Sequence, residues 1–267
     1  MITLSGSALK EQLLTSLKSD KDLSRLSFYL FSDSHNQACF YYLKGIKKVL
    51  DSLAIPYTEA FMDPALSEAD NLVRFQKGIS SHQVILARPL GVKNEEAFVK
   101  SIPAGQDPDG MSDVNRGRLY SGNLDYLPAT AQSVRYLLDT YQISLAGRKC
   151  LVVGRSLTVG LPLAELVNRK DGLLTLAHSK VAPELLAKEA KESSVIFLAS
   201  GHPGLIPRSA LTPETTVLDC GFSAGGGDLG FIPNPDELKA YTPVPGGVGA
   251  LTSLFLVKNA LTLVKLS

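Results

Sequence analysis

Short β-branched or aromatic runs alternate with helix-period patterns along most of this chain, and that alternation constrains the fold more than any other feature. "LSFYLF" precedes "NQACFYYLKGIKKVLDSL", "YTEAF" precedes "EADNLVRFQKG", and "QVILA" precedes "NEEAFVKSI". A strand, an amphipathic helix and a second strand make a βαβ unit, and such units build parallel sheets. The rhythm breaks at residues 103–128, "PAGQDPDGMSDVNRGRLYSGNLDYLP". It resumes with "KCLVVG" and "GLPLAELVNRK", "GLLTLA" and "APELLAKEA", then "SVIFLAS" and "TTVLDCG". The interruption is longer than an ordinary connection within a domain. Two consecutive parallel-sheet α/β units are therefore expected, with a boundary near Leu127.

Charge and cysteine content narrow the partners. With 27 basic and 26 acidic residues and a net charge of +1, nothing favours nucleic acid or an anionic membrane, so a small molecule is the expected partner. The start, "MITLSGSALKEQLLTSL", carries Lys10 and Glu11 early and reads as an amphipathic helix rather than a signal peptide. No run reaches the roughly 20 apolar residues of a membrane span; "LFLVKNALTLVKL" is broken by Lys258 and Lys265. Cys39, Cys150 and Cys220 are too few and too scattered for a disulfide framework or a cysteine zinc site, which fits a reducing cytoplasm. His35, His82, His178 and His202 lack HExxH or paired spacing, so no metal is expected.

"KCLVVGRSLTVGLPLAELV" reads as a strand, a tight turn at Gly154, and a helix opening near Gly160 and Pro162. Free N–H groups and the positive dipole end at such a helix start suit the pyrophosphate of a dinucleotide, although the GxGxxG spacing is absent and an ordinary βα turn has the same form. An NAD site usually ends its second strand with an acidic residue for the ribose 2′-hydroxyl. That strand here ends "LTLAHSK" with no carboxylate, whereas Arg155, His178, Ser179 and Lys180 could meet a 2′-phosphate. NADP is expected over NAD, with solvated loop charges as the plainer account of Arg155 and Lys180.

Several phrases together carry a family resemblance: "VVGRSLTVGLP", "AHSK", "ASGHP", "LDCG", "GGGDLG" and "YTPVPGGVGALTSL", with "QDPDGMSDVNRGRL" and "ACFYYL" upstream. In order and spacing they resemble the FolD family of methylenetetrahydrofolate dehydrogenase/cyclohydrolases. The resemblance implies an α/β catalytic domain (1–127 plus 249–267) and a Rossmann-type parallel-sheet dinucleotide-binding domain (128–248). It implies that the last helix returns to the first domain, that a tetrahydrofolate derivative lies in the cleft between the two, and that the protein is a homodimer. Carried over by motif, the cofactor residues are Gly154, Arg155, Ser156, Val159, Gly160, His178, Ser179, Ser200, Gly201, Asp219 and Gly221. The substrate residues are Tyr42, Asp109, Pro245, Gly246, Gly247 and Val248. In "TPVPGGVGALT", Pro243 and Pro245 fix the backbone while Gly246, Gly247 and Gly249 permit positive φ and close approach; a stiff crossover into the final helix reads the same way.

The catalytic set implied by the resemblance is Tyr42, Asp109 and a lysine four residues after the tyrosine that serves the cyclohydrolase step. Ile46 stands at that lysine position. Helix geometry agrees: at 100° per residue Ile46 lies about 40° from Tyr42, while Lys44, Lys47 and Lys48 lie about 160°, 140° and 120° away. Ile46 also joins a stripe with Leu43, Val49, Leu50 and Leu53 that reads as core. A one-residue shift would make Lys47 a substitute. "ILARPLG" replaces the family's VQLPLP and puts Ala87 at the glutamine that partners the lysine, and "LPATAQS" departs from its PCTPxG.

Hydride transfer needs positioning and no proton abstraction, whereas hydrolysis of the methenyl cation needs an acid/base group. The resemblance with these losses implies an NADP-dependent dehydrogenase of one-carbon metabolism with weak or absent cyclohydrolase activity. A bifunctional enzyme using Lys47, Lys44 or another group, a non-catalytic folate or dinucleotide binder, and an oxidoreductase on another substrate are the alternatives.

Overall fold

The computed structural model describes residues 1–221 and 226–266; Gly225, the first glycine of "GGGDLG", lies outside them. The first half comprises β1 (Ile2–Thr3), α1 (Gly6–Lys18), β2 (Phe28–Ser32), α2 (Gln37–Ser52), β3 (Tyr57–Phe61), α3 (Glu68–Ile79), β4 (Gln83–Leu86), α4 (Glu95–Lys100) and α5 (Asp113–Tyr120). The second comprises α6 (Ala129–Thr140), β5 (Lys149–Val153), α7 (Gly160–Arg169), β6 (Leu173–Ala177), α8 (Pro183–Glu192), β7 (Val195–Leu198), β8 (Thr216–Asp219), β9 (Ala240–Tyr241) and α9 (Gly249–Leu266). The chain divides into two compact units, Gln12–Ala129 with Ser253–Ser267, and Met1–Glu11 with Thr130–Thr252.

The first of these units is built on a parallel sheet ordered β3-β2-β4. β2 is central, and all five of its residues, Phe-Tyr-Leu-Phe-Ser, are buried, as expected for a strand covered on both faces. Its Phe31 packs with Phe75 and Phe98, the Phe31 and Phe75 ring centroids 4.9 Å apart; each buried ring contributes about 1.5–3 kcal/mol. α9 supplies Leu254, Phe255, Leu256 and Val257 to the interior. The Asn259 amide donates to the Pro108 and Leu127 carbonyls at 2.9 and 3.0 Å, which ties the C-terminal helix to this unit. By length and a hydropathy of 1.3, α9 is apolar enough to cross a membrane despite Lys258 and Lys265, contrary to the expectation for that segment; half of its length is buried within the protein, and a core helix has the same composition.

The second unit carries a parallel sheet ordered β1-β9-β8-β7-β5-β6, the doubly-wound pattern expected for residues 128–248. Its core joins Leu151 and Val153 of β5 to Ile196 and Leu198 of β7 and Val217 of β8. The β1 strand was not legible in the sequence: Ile2 and Thr3 pair with Ala240 and Tyr241, so the first eleven residues group with this unit and not with residues 12–127. Residues 103–128 are also not a plain loop. They contain α5, whose start is capped by the Ser112 side chain accepting from Asn115 N, with little apolar periodicity to betray it.

Candidate active site

Tyr42 and Asp109 are brought together in the first unit. α2 begins after the Asn36 cap and turns Tyr42 inward, where its hydroxyl lies 3.5 Å from Asp109 Oδ2, long for such a bond. The two aspartates of "QDPDG" divide the work. Asp107 is 2% exposed, and its carboxylate accepts from Met111 N, Ser112 N and the Asn115 amide at 2.9, 2.7 and 3.1 Å. It therefore builds the turn into α5. Gly110, at φ +64°, lets the chain reverse against Tyr126 and Pro128 and leaves Asp109 to project.

Burial, and then the negative charge of Asp107, push the Asp109 carboxyl up to about 7; Arg88, the Ala129 N–H and the Tyr42 hydroxyl pull the other way. Burial and the Asp109 charge likewise hold the Tyr42 phenol well above its ordinary range, so it stays a neutral donor. Ile46 is 1% exposed and Ala87 equally buried. Lys47, the weak substitute, does not join them: its Nζ lies 2.9 and 3.0 Å from the two carboxylate oxygens of Glu59 on β3. Lys44 is exposed beside the Phe40 ring.

In the second unit the turn after β5 depends on two glycines. A Cβ on Gly154, at φ +124°, would lie 2.1 Å from the Ala199 carbonyl oxygen, and one on Gly160 would lie 2.2 Å from that of Gly154. The helix start can approach the strands only because both side chains are missing. Ser156 Oγ accepts from Val159 N and Gly160 N, each at 3.2 Å, and so caps α7 itself. β5 and β6 run side by side with Val153 opposite Ala177, so Arg155 and the His178–Lys180 turn emerge at neighbouring strand ends. His178 Nδ1 accepts from Lys180 N at 3.2 Å. Arg155, Ser179 and Lys180 are exposed, and neither cation has an ion pair among the described residues.

Ser200, half-buried, and Gly201, exposed, are expected at the cofactor and hydrogen-bond within the chain. Ser200 N, Ser200 Oγ and Gly201 N all donate to Asp228 Oδ2, at 2.6, 2.8 and 2.9 Å. Asp219 is 3% exposed and accepts from Gly221 N, Asp228 N and Leu229 N. These carboxylates shape the turns after β7 and β8. Asp228, unremarked in the sequence although it stands in "GGGDLG", is the hub of that arrangement.

The 243–249 loop is held by the N-terminus. Ser7 N donates to Gly246 O at 2.9 Å, and a Cβ on Gly6 would lie 2.1 Å from Gly247 O. Pro245 is exposed and Gly246 half-buried at φ +108°, whereas Gly247 and Val248 are buried. Gly249, expected to permit close approach, has nothing within 4 Å of a would-be Cβ.

Residues 128–267 match the tetrahydrofolate dehydrogenase/cyclohydrolase NAD(P)-binding domain. The bifunctional protein FolD of Clostridium acetobutylicum is 32% identical over 82% of this chain and 81% of its own. The chain belongs to the tetrahydrofolate dehydrogenase/cyclohydrolase family. The bifunctional protein FolD of Lacticaseibacillus casei is 31% identical over 98% of this chain and 97% of its own. The crystal structure of the bifunctional 5,10-methylenetetrahydrofolate dehydrogenase/cyclohydrolase from Thermoplasma acidophilum matches at 26% identity and a TM-score of 0.85, covering 99% and 98% of the two chains.

Proposed function

We propose that the protein oxidises methylenetetrahydrofolate to methenyltetrahydrofolate with NADP, with little or no cyclohydrolase activity. The observation that carries this reading is the pairing of Tyr42 with Asp109 beside a buried Ile46, while Lys47 is engaged by Glu59. Tyr42 and Asp109 orient the pterin. NADP, when bound, would supply the hydride acceptor for the bridging methylene carbon, so that the chain's own residues have no proton to remove. The protein's task is then orientation. The residues fit this cofactor: Arg155 and Lys180 are cations at adjacent strand ends with no ion pair among the described residues, and no carboxylate ends β6, a donor set for a 2′-phosphate. A homodimer through the Rossmann-type unit and a cytoplasmic location belong to the same reading; Leu173 and Leu174 stand 65% and 36% exposed on the edge strand β6.

One observation favours a second reading. A carboxyl near pH 7 is tuned for general acid/base work, so Asp109 could serve the hydrolysis in place of the lysine.

The test follows reduced cofactor and methenyl product separately, with methylenetetrahydrofolate and either NADP or NAD. Methenyl product that accumulates and decays only at its spontaneous rate supports the dehydrogenase reading. Enzymatic decay abolished in Asp109→Asn supports the second, and no reduction with either cofactor sinks both.

A further inference from the structure

The turn after β7 lies against the turn after β5. A Cβ on Gly154 would lie 2.1 Å from Ala199 O and 3.2 Å from Ser200 N, so the two turns meet backbone to backbone at the ends of paired strands. One carboxylate oxygen holds the second turn in place. Asp228 Oδ2 accepts from Ser200 N, Ser200 Oγ and Gly201 N at 2.6, 2.8 and 2.9 Å, and the Asp228 carbonyl accepts from Gly204 N at 2.9 Å. Asp228 is fixed from its other side, where its N–H donates to Asp219 Oδ1 at the end of β8, at 3.0 Å. Its second oxygen is buried with no hydrogen-bond partner among the described residues. That oxygen faces Gly221, on which a Cβ would lie 2.0 Å away. An unpaired buried carboxylate oxygen costs stability, so stability alone does not account for closing these turns with an aspartate.

Strand order gives the clamp its meaning. The sheet runs β6-β5-β7-β8, and the order reverses between β5 and β7, where a doubly wound sheet takes a dinucleotide across its strand ends. Arg155 and Lys180 stand at the β5 and β6 ends and suit the adenine side with its 2′-phosphate. The turns after β7 and β8 are left for the nicotinamide half.

We propose that Asp228 is a positioning residue for the nicotinamide half of the cofactor. It locks the turns after β7 and β8 into one wall, and that wall seats the ring, because the Ser200 and Gly201 donors are already taken by the carboxylate. Asp228, 3% exposed, acts through those turns. This inference rests on the NADP reading of this unit and not on the folate.

The test compares binding of NADP with binding of 2′,5′-ADP, which has the adenine and the 2′-phosphate but no nicotinamide, and follows NADP reduction with methylenetetrahydrofolate. In Asp228→Ala the affinity for 2′,5′-ADP should stay within about twofold of wild type, while that for NADP falls about fivefold and reduction at saturating NADP falls about 10- to 100-fold. Asp228→Asn, whose amide oxygen can stand where Oδ2 stands, should recover most of both. Ser200→Ala removes one of the three donors, a change that the fold survives more easily, and should lower NADP affinity about twofold with 2′,5′-ADP unmoved. Equal losses for the two compounds, or unchanged NADP affinity in the variants, overturn the inference. A wild type that binds neither compound overturns the NADP reading, and this inference with it. One that binds both without reducing NADP overturns the folate reading and leaves the binding comparison to decide this one.

Discussion

The Lys47 ammonium spans both carboxylate oxygens of Glu59, at 2.9 and 3.0 Å, and joins α2 to β3. A lysine so placed is engaged by a carboxylate, on a helix face about 140° from Tyr42. Lys47→Ala should therefore change hydride transfer and methenyl hydrolysis less than about twofold and cost under about 1 kcal/mol of stability, the range for a partly exposed pair. Steady-state rates and urea unfolding check this; a tenfold loss of hydrolysis alone would make Lys47 the base.

Asp109 gives the stability a pH signature. Its folded-state carboxyl titrates at about 7, above the 3.8 of a free aspartate. Between those values the folded protein holds a proton that the unfolded chain has released, so its stabilising contribution is complete below the lower value and is lost as pH rises through 7. Asp109→Asn keeps the neutral shape and escapes that loss. The Tm of the variant minus that of the wild type should grow from pH 4 to pH 8, and a difference flat with pH would place Asp109 in the ordinary carboxylate range.

Cofactor choice should reside in Arg155 and Lys180. Each charge-assisted bond to a 2′-phosphate is worth about 1.5–3 kcal/mol, so Arg155→Ala should raise the KM for NADP about 10- to 100-fold while moving that for NAD less than twofold. Equal losses with both cofactors would mean that Arg155 shapes the turn rather than reading the phosphate.

Gly6 sets the 243–249 loop from the far end of the sequence. In Gly6→Ala the new methyl would sit 2.1 Å from Gly247 O, so the loop must shift. The KM for the folate should rise about tenfold, a misplacement effect of the kind a displaced positioning group causes, with NADP affinity unchanged. If thermal stability falls and the KM stays constant, the start of α1 supports the fold without positioning the loop.

The alternation of apolar runs and helix patterns was enough to determine two parallel α/β units, because covered strands must be apolar and their crossovers amphipathic. β3 falls on "YTEAF" residue for residue, and the Ile46 stripe is buried as its spacing requires. Local physics stops where a residue's partner lies far along the chain. β1 has two residues and no apolar pattern, and it exists because Ile2 and Thr3 meet Ala240 and Tyr241. α5 has almost no apolar stripe and starts where Ser112 caps it, just after the Met111 and Ser112 amides that Asp107 holds. Ser200, Gly201 and Asp219 carry the motif of a binding loop, but their polar groups are spent on Asp228 and the neighbouring backbone, which only the packed turns could decide. The sequence by itself determined the two α/β units and most of their strands, since these follow from periodicity and neighbours; tertiary structure decided which charged groups face one another, since charge acts through space and not along the chain.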